Sequence, residues 1–326
     1  MSSPSSSTLK TLVVATLLCI VCATLVSSIS VSLKEAQLIN KKLDKQRNIL
    51  LCAGELTAEE VKDKENVKKA FAKIQPQIVD LQYGYVVDMA NLQSDTTQQV
   101  LKDNLQNLET QLKAADEDTK KKLQQDIDAL NTYIDQMKGI KAYMKVDEEG
   151  NLLSGTYNQV KASKDKALSI DVQDNKGSSI KTRAKFALVY LVENDDKKVS
   201  KIILPVRSYG LWSTMLGFLA LDVDTTTIKG FAYYEHGETP GLGGEVDNKN
   251  WKGQWPGKKA FDSEWNPAIH VIKGKVDPKG KDAEYKIDGL SGATITSDGV
   301  STSLEYWLSQ SGFGLFLENI REKGFQ

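Results

Sequence analysis

The sequence has few of the residues that build covalent or metal-bound frameworks, with only 3 cysteines and 2 histidines in 326 residues. Cys19 and Cys22 lie inside an apolar N-terminal run, so their C-x-x-C spacing does not indicate a redox motif. Cys52 is then left alone, which excludes a disulfide framework. His236 and His270 have no Cys or His neighbour at the spacing of a zinc or haem site. We therefore expect no metal centre in this chain.

The sequence also has almost no excess of charge. It holds 42 Lys and Arg against 43 Asp and Glu, a net charge of -1. No overall field attracts a polyanion, so we expect no nucleic-acid partner. No Ser, Cys, His and Asp arrangement indicates a nucleophilic triad, and we expect no catalytic residue. With 40% apolar residues, the chain is long enough to bury a substantial core.

One long apolar run is present near the N-terminus. Thr11 to Leu33 contains no charged residue, and its length matches the roughly 20 residues that cross a hydrocarbon core. We predict one transmembrane helix at 11–33, preceded by a cytoplasmic segment at 1–10. A cleaved signal peptide is the alternative, but the run is long for one and no A-x-A site follows it. The positive-inside rule taken alone would keep the remainder cytoplasmic, because basic residues follow the run: Lys34, Lys41, Lys42, Lys45 and Arg47.

Residues 34–150 have the pattern of membrane-proximal helices. A helix is predicted from Lys34 to Ala53 with Gly54 as its C-cap, and Thr57–Glu60 has the pattern of a capping box that opens a second helix. A helical insertion, either a hairpin or one long coiled helix, is predicted at about 95–140. It rests on apolar residues spaced three and four apart: Leu101, Leu105, Leu108, Leu112, Leu123, Ile127, Leu130, Ile134 and Met137.

Residues 151–326 change to short β-like runs, which predicts an α+β domain. All 5 tryptophans lie in this part, between Trp212 and Trp307. The predicted elements are strands at Phe186–Val192 and Lys201–Val206, a hairpin of Leu216–Leu221 with Ile228–Tyr234, and helices at Thr296–Leu308 and Phe313–Arg321.

The most informative motif for chemistry is Asp288–Ser297, which follows a strand-like segment at Ala283–Ile287 and precedes a predicted helix. Gly292 and Ala293 would let the backbone approach a phosphate closely, and the helix N-terminus would favour its charge. The alternative is that the hydroxyl residues only cap the helix and satisfy a turn: Ser291, Thr294, Thr296 and Ser297. The motif lacks the Gly-Lys-Ser/Thr ending of a P-loop.

Two further loops are candidate ligand-binding segments. His236–Glu245 is rich in glycine and could present Thr239 and Leu242 to a planar ligand, although an ordinary Gly-Pro turn has the same pattern. Its His236 and Glu238 could also form an acid–base pair. Tyr209–Met215 could supply aromatic surface through Trp212, or it could pack in the core.

These motifs together resemble the FMN-binding domain family, and within it the family of the C subunit of the Na+-translocating NADH:quinone oxidoreductase. Asp288–Thr294 matches the signature Asp-Gly-x-Ser/Thr-Gly-Ala-Thr, which includes Ser291, Gly292 and Ala293. The resemblance implies that FMN is esterified through its phosphate to Thr294. Glu238–Gly243 matches the family's Glu-Thr-Pro-Gly-Leu-Gly loop, which implies that Thr239 and Leu242 lie against the flavin. The segment around Trp212 and the ending Gly312–Gly314 favour this family over the G subunit of the related Rnf complex.

The resemblance implies an electron-carrier subunit that works with subunits A, B, D, E and F, after a flavin transferase has loaded FMN from FAD. It places the chain in the bacterial inner membrane with the soluble domain in the periplasm, contrary to the charge count. The alternatives are an Rnf-type subunit and a membrane-tethered scaffold or sensor. Residues 95–140 lie outside the resemblance, so it implies nothing about their role.

Overall fold

The computed structural model describes residues 6–87, 95–116, 119–128, 130–131, 134 and 157–325. The chain divides into two compact units between Gln46 and Arg47. Helix α1, Ser6–Ala53, is the only helix in the described ranges that is long and apolar enough to cross a membrane, judged by length and composition. It is continuous, so the helices predicted at 11–33 and 34–53 are one element. Gly54 follows it with a φ of +66°, which confirms the predicted glycine C-cap.

The capping box at Thr57–Glu60 is confirmed. The Thr57 N–H donates to Glu60 Oε2 over 2.8 Å, and the Glu60 N–H donates to Thr57 Oγ1 over 3.3 Å. The helix that follows is interrupted after a 3-10 turn at Glu60–Lys62. Asp63 is extended and accepts the Glu65 N–H over 2.8 Å, so it caps a separate helix, α2, at Lys64–Phe71.

The described part of the second unit contains both helices and strands. Its remaining helices are α3 at Asp95–Ala114, α4 at Gln159–Ala162, α5 at Lys249–Lys252, α6 at Thr294–Leu308 and α7 at Gly314–Lys323. The strands are β1 at Ile74–Asp80, β2 at Tyr85–Val86, β3 at Ser169–Asp171, β4 at Thr182–Ala184, β5 at Phe186–Glu193, β6 at Val199–Tyr209, β7 at Thr214–Asp222, β8 at Ile228–Glu235, β9 at His270–Val271 and β10 at Lys286–Ile287. Two 3-10 turns lie at Gly243–Asp247 and Ala283–Tyr285.

A six-stranded antiparallel sheet with the order β2-β1-β5-β6-β7-β8 forms the centre of this unit. One face packs against α6 and α7 through a shared apolar core. On the other face, Phe218 contacts Tyr190 and Tyr234, and Cys52 donates a hydrogen bond from Sγ to the Phe218 carbonyl. Since both faces are covered, β5 is buried along most of its length. The α+β class, the strands predicted within β5 and β6, and the β7–β8 hairpin are confirmed.

The helical segment has two described helical stretches, α3 and residues 119–128. Leu112 and Gln124 line one cleft, so the end of α3 lies close to the start of the second stretch. Ile127 is buried. The predicted seam continues to Met137, which lies outside the described residues.

A short parallel ladder positions the candidate site. β10 pairs with β9, with Ile287 opposite Val271, and residues 288–293 then connect β10 to α6. The predicted strand at Ala283–Ile287 is wrong over its first half, which forms a 3-10 turn. Asp282 causes this difference because its φ of +62° breaks the extended conformation immediately before the strand.

Candidate functional site

Glu238 joins the three segments that the sequence singled out. It lies on the loop after β8, only 6% exposed. Its carboxylate accepts the N–H groups of Leu211 (3.1 Å), Trp212 (3.0 Å) and Ser213 (3.3 Å), which connect β6 to β7. It also accepts the Thr296 hydroxyl of α6 over 2.8 Å. One side chain therefore holds two loops and the start of a helix together.

The hydrogen bonds keep this carboxyl group ionised. Burial acts to raise the pKa of Glu238, but the bonds from Trp212, Thr296, Leu211 and Ser213 outweigh it and lower the pKa below its ordinary value. Because hydrogen bonds to the charged form stabilise that form, Glu238 is a buried anion at neutral pH.

Two glycines provide the space for this carboxylate. A Cβ atom on Gly210 would lie 2.4 Å from Glu238 Cδ, and a Cβ atom on Gly243 would lie 2.6 Å from Glu238 Oε2. Any side chain at either position would displace the carboxylate. Gly210 and Gly243 are therefore needed to make room for the Glu238 side chain. This requirement is separate from any close contact between the loop backbone and a ligand.

The hydroxyl residues at the start of α6 differ in their hydrogen bonds and in their exposure. Thr296 donates to Glu238, and Ser297 Oγ accepts the Leu290 N–H over 3.1 Å. The N-cap residue is Ala293, and no side chain caps the first turn. Ser291 and Thr294 are exposed. Ser297 therefore satisfies the turn before the helix, as the structural alternative expected, whereas no side-chain cap accounts for the exposed Thr294.

The loop after β8 reaches the signature segment at Gly292. This glycine has a φ of +70°, and a Cβ atom on it would lie 2.9 Å from Leu242 Cδ2. Thr239 is exposed, and its carbonyl accepts the N–H groups of Leu242 and Gly244 over 3.1 and 2.9 Å. The predicted tight loop is thus present and places Leu242 beside the signature.

Asp288, the first residue of the signature, is engaged with the protein. Its Oδ1 accepts the Val276 N–H over 2.8 Å, its own N–H donates to Gln254 Oε1 over 3.0 Å, and its carbonyl accepts Trp251 Nε1–H over 2.9 Å. The residue therefore fixes the path of the chain before α6. Asp288 thus has a supporting position in the signature, and its role in cofactor binding stays a prediction of the family resemblance.

Exposed apolar side chains occur on all three segments. Leu211 is 52% exposed, Trp212 70%, Leu242 44% and Ile295 57%. Leu211 and Ile295 were not among the predicted site residues, although a large apolar residue next to a Gly-rich surface motif is a usable signal for a ligand surface. Trp212 lies outside the core, whereas Met215 belongs to the core and Tyr209 packs against it, so the segment supplies both core packing and exposed aromatic surface.

His236 does not form the acid–base pair that the sequence allowed. Its Nε2 lies 2.8 Å from Asp247 Oδ2, and its Nδ1 lies 3.3 Å from the Glu238 backbone nitrogen rather than from the carboxylate. Its contacts hold the loop on which Glu238 lies. In the described part of the chain, no group of three or more His, Cys, Asp and Glu side chains could hold a metal ion.

Comparisons with known proteins identify the domain that contains these residues. Residues 210–309 match the family model described as FMN-binding domain, a range that includes Glu238 and the whole of α6. The chain is 39% identical over 318 residues to the C subunit of the Na(+)-translocating NADH-quinone reductase of Pseudomonas aeruginosa, covering 97% of each protein. It is 36% identical over 317 residues to the protein of the same name from Yersinia pestis, covering 96% of this chain and 93% of that protein.

The fold also matches a solved structure. The crystal structure of Shewanella oneidensis NqrC superposes with a TM-score of 0.61 and 26% identity, covering 87% of this chain and 100% of that chain. Sequence and structure comparisons thus lead to one group of proteins across nearly the full chain. This protein belongs to the family formed by the C subunit of the Na(+)-translocating NADH-quinone reductase.

Proposed function

We propose that Thr294 carries FMN, joined through a phosphoester to its side-chain oxygen. One observation carries this proposal: the Thr294 residue is exposed at an uncapped helix start, whereas the hydroxyls of Thr296 and Ser297 are buried and engaged. A phosphate on Thr294 would lie at the N-terminus of α6, where backbone N–H groups and the helix dipole stabilise negative charge.

The surrounding residues fit the rest of this cofactor. Gly292 leaves the backbone open beside Leu242, where a Cβ atom would be too close. Trp212, Leu242 and Ile295 offer exposed apolar surface that suits a flat isoalloxazine ring. FMN, when bound, supplies the electron-transfer chemistry. The chain's own residues hold the phosphate, cover the ring and fix its position.

The supporting roles divide among the remaining signature and loop residues. Glu238 and Asp288 hold the segments in place from behind the site. Ser291 and Thr239 are exposed at its edge, where they can contact polar parts of the cofactor, and the buried Ala293 leaves the helix start without a competing cap.

The chain's role in this proposal is that of the electron-carrier subunit of a membrane-bound NADH:quinone oxidoreductase whose electron transfer is coupled to Na+ export. The names of the relatives support this role. Helix α1 supports attachment to the bacterial inner membrane, and the soluble domain would lie in the periplasm. Subunits A, B, D, E and F would be the partners and would handle NADH and quinone. A flavin transferase would load the FMN.

Covalent attachment has a physical purpose at such a location. A flavin lost outside the cytoplasm would be diluted and not recaptured, whereas a phosphoester holds it permanently. The link also fixes the distance between the ring and neighbouring redox centres. Thr294 would then be consumed once during maturation and would take no part in electron transfer itself.

The test is the intact mass of the full chain, purified in detergent after co-expression with an active flavin transferase. The wild type should gain the mass of FMN less one water, and peptide mapping should locate it on the peptide that contains Thr294. The variant T294A should gain nothing. T302A is the matched control, because Thr302 lies on the same helix with its hydroxyl bonded to the Asp298 carbonyl. Flavin on T294A would refute the linkage.

A second experiment addresses the complex. Membranes that contain the assembled subunits should oxidise NADH with quinone in a Na+-stimulated manner, and T294A should abolish this activity. NADH oxidation without Na+ stimulation would favour an Rnf-type subunit. A loaded flavin that is never reduced in the complex would favour a scaffold or sensor.

A further inference from the structure

The Glu238 carboxylate is a buried negative charge, and it forms no ion pair with any of the residues that the structure describes. In the described part of the chain, all of its hydrogen-bond donors are neutral: the N–H groups of Leu211, Trp212 and Ser213 and the hydroxyl of Thr296. Such donors stabilise the ionised form but leave its net charge in place. A buried charge is also screened less by salt than an exposed one.

This charge is bonded to two of the segments that carry the proposed flavin surface. The backbone that it binds carries Leu211 and Trp212, whose side chains are exposed. Thr296, which it also binds, is two residues from Thr294 on the first turn of α6. The carboxylate thus contacts both the β6–β7 loop and the first turn of α6, and it is buried from solvent.

We propose that Glu238 sets the reduction potential of the flavin, in addition to positioning the segments that hold it. This inference rests on the proposed function, since it requires FMN on Thr294. When the ring takes up two electrons and one proton, it gains one negative charge. A fixed carboxylate nearby disfavours that gain, and its effect is stronger in a low-dielectric site than in water. Glu238 therefore lowers the midpoint potential.

The experiment compares midpoint potentials of loaded full-length variants by spectroelectrochemical titration at neutral pH. Glu238→Gln removes the charge, and the potential should rise by about 30 mV, which is a tenfold change in the equilibrium constant of a two-electron couple. Thr296→Val keeps the charge but removes its hydroxyl donor. The carboxylate is then less compensated, and the potential should fall.

Opposite shifts distinguish a charge effect from a structural one, because simple loosening of the site would move both variants in the same direction. Glu245→Gln is the matched control, since this residue lies on the same loop, partly exposed and bonded to Asn248. Removal of the Glu245 charge should leave the midpoint potential unchanged. A Glu238→Gln potential equal to that of the wild type would overturn the inference.

The two proposals fail in different ways. If the wild type carries no flavin, or if Thr294→Ala carries it, the proposed function fails. If the wild type is loaded normally and Thr296→Val has a potential at or above that of the wild type, only the role of Glu238 fails. If Glu238→Gln does not load flavin, the potential of Thr296→Val still tests the role of Glu238.

Discussion

Thr294 and Thr296 lie two residues apart on the first turn of α6, yet Thr294 is exposed whereas Thr296 is buried and donates to Glu238 over 2.8 Å. Two threonines within one helical turn therefore differ in solvent exposure and in hydrogen bonding. The hydroxyl of Thr296 is committed to holding the site together. Thr294 remains accessible for modification by an enzyme, and this difference is the basis of the assignment.

Gly292→Val should strongly reduce flavin loading while the chain still folds. The φ of +70° is strained for a β-branched residue, and the new Cβ would lie 2.9 Å from Leu242 Cδ2. We expect a cost of about 1–2 kcal/mol from the backbone conformation alone. Covalent flavin, measured by in-gel fluorescence and intact mass, should fall at least tenfold. Ser291→Val, an exposed neighbour, is the control and should retain more loading.

A double variant separates the two causes. Gly292→Val with Leu242→Ala removes the close contact but keeps the backbone strain. If loading recovers fully, the contact with Leu242 is the dominant cause. Normal loading in Gly292→Val alone would contradict a close backbone approach at this position.

Asp288→Ala should destabilise the protein as well as reduce loading. The substitution leaves the partly buried Val276 N–H without its acceptor, and we expect a loss of about 1 kcal/mol in the free energy of unfolding. Asp288→Asn retains an amide oxygen that can accept this bond, and it should be close to the wild type in stability. Urea denaturation followed by tryptophan fluorescence measures both.

Asp277→Ala provides the comparison for this prediction. Asp277 is exposed and accepts the Lys279 N–H over 3.0 Å in the same region, so its loss should cost less. Equal destabilisation by Asp288→Ala and Asp277→Ala would show that Asp288 does not organise the signature loop.

The sequence was sufficient for elements whose signals are local. The β7–β8 hairpin followed from two apolar runs around a polar turn, and the end of α1 followed from Gly54. The strand predicted before the signature was too long, because no sequence pattern indicated the positive φ of Asp282.

The assembly of the site could not be predicted from local patterns. Glu238 bonds to Trp212 and Thr296, which are 26 and 58 residues away along the chain. Such contacts depend on the packing of β6, β8 and α6, so the buried role of Thr296 had no local signal. The signature motif identified Thr294 only through family resemblance, since a hydroxyl at a helix start usually serves as a cap.

Glu238 should make stability depend on acid pH. Its folded pKa is below the ordinary value of 4.5, so its contribution is present above that pH and is lost as the pH falls through the folded pKa. At pH 7, Glu238→Gln should therefore be less stable than the wild type by about 1–3 kcal/mol. The difference should shrink at acid pH, because the wild-type carboxyl is then also neutral.

Urea midpoints of both proteins between pH 7 and pH 3 measure this difference. Other acidic groups with lowered pKa values, such as Asp224, are present in both proteins and cancel in the comparison. A difference that stays constant over this range would mean that the ionisation of Glu238 is not coupled to folding.

Lys279→Cys should report on which side of the membrane the soluble domain lies. Lys279 is in an exposed loop, and the native cysteines give little background, since Cys52 is buried and Cys19 and Cys22 lie in the apolar run of α1. If the domain is periplasmic, a small membrane-impermeant maleimide that passes the outer membrane should label the variant in intact cells. The unsubstituted chain is the background control. Labelling only after the inner membrane is broken would place the domain in the cytoplasm, as the basic residues after the apolar run indicate, and would contradict the proposed topology.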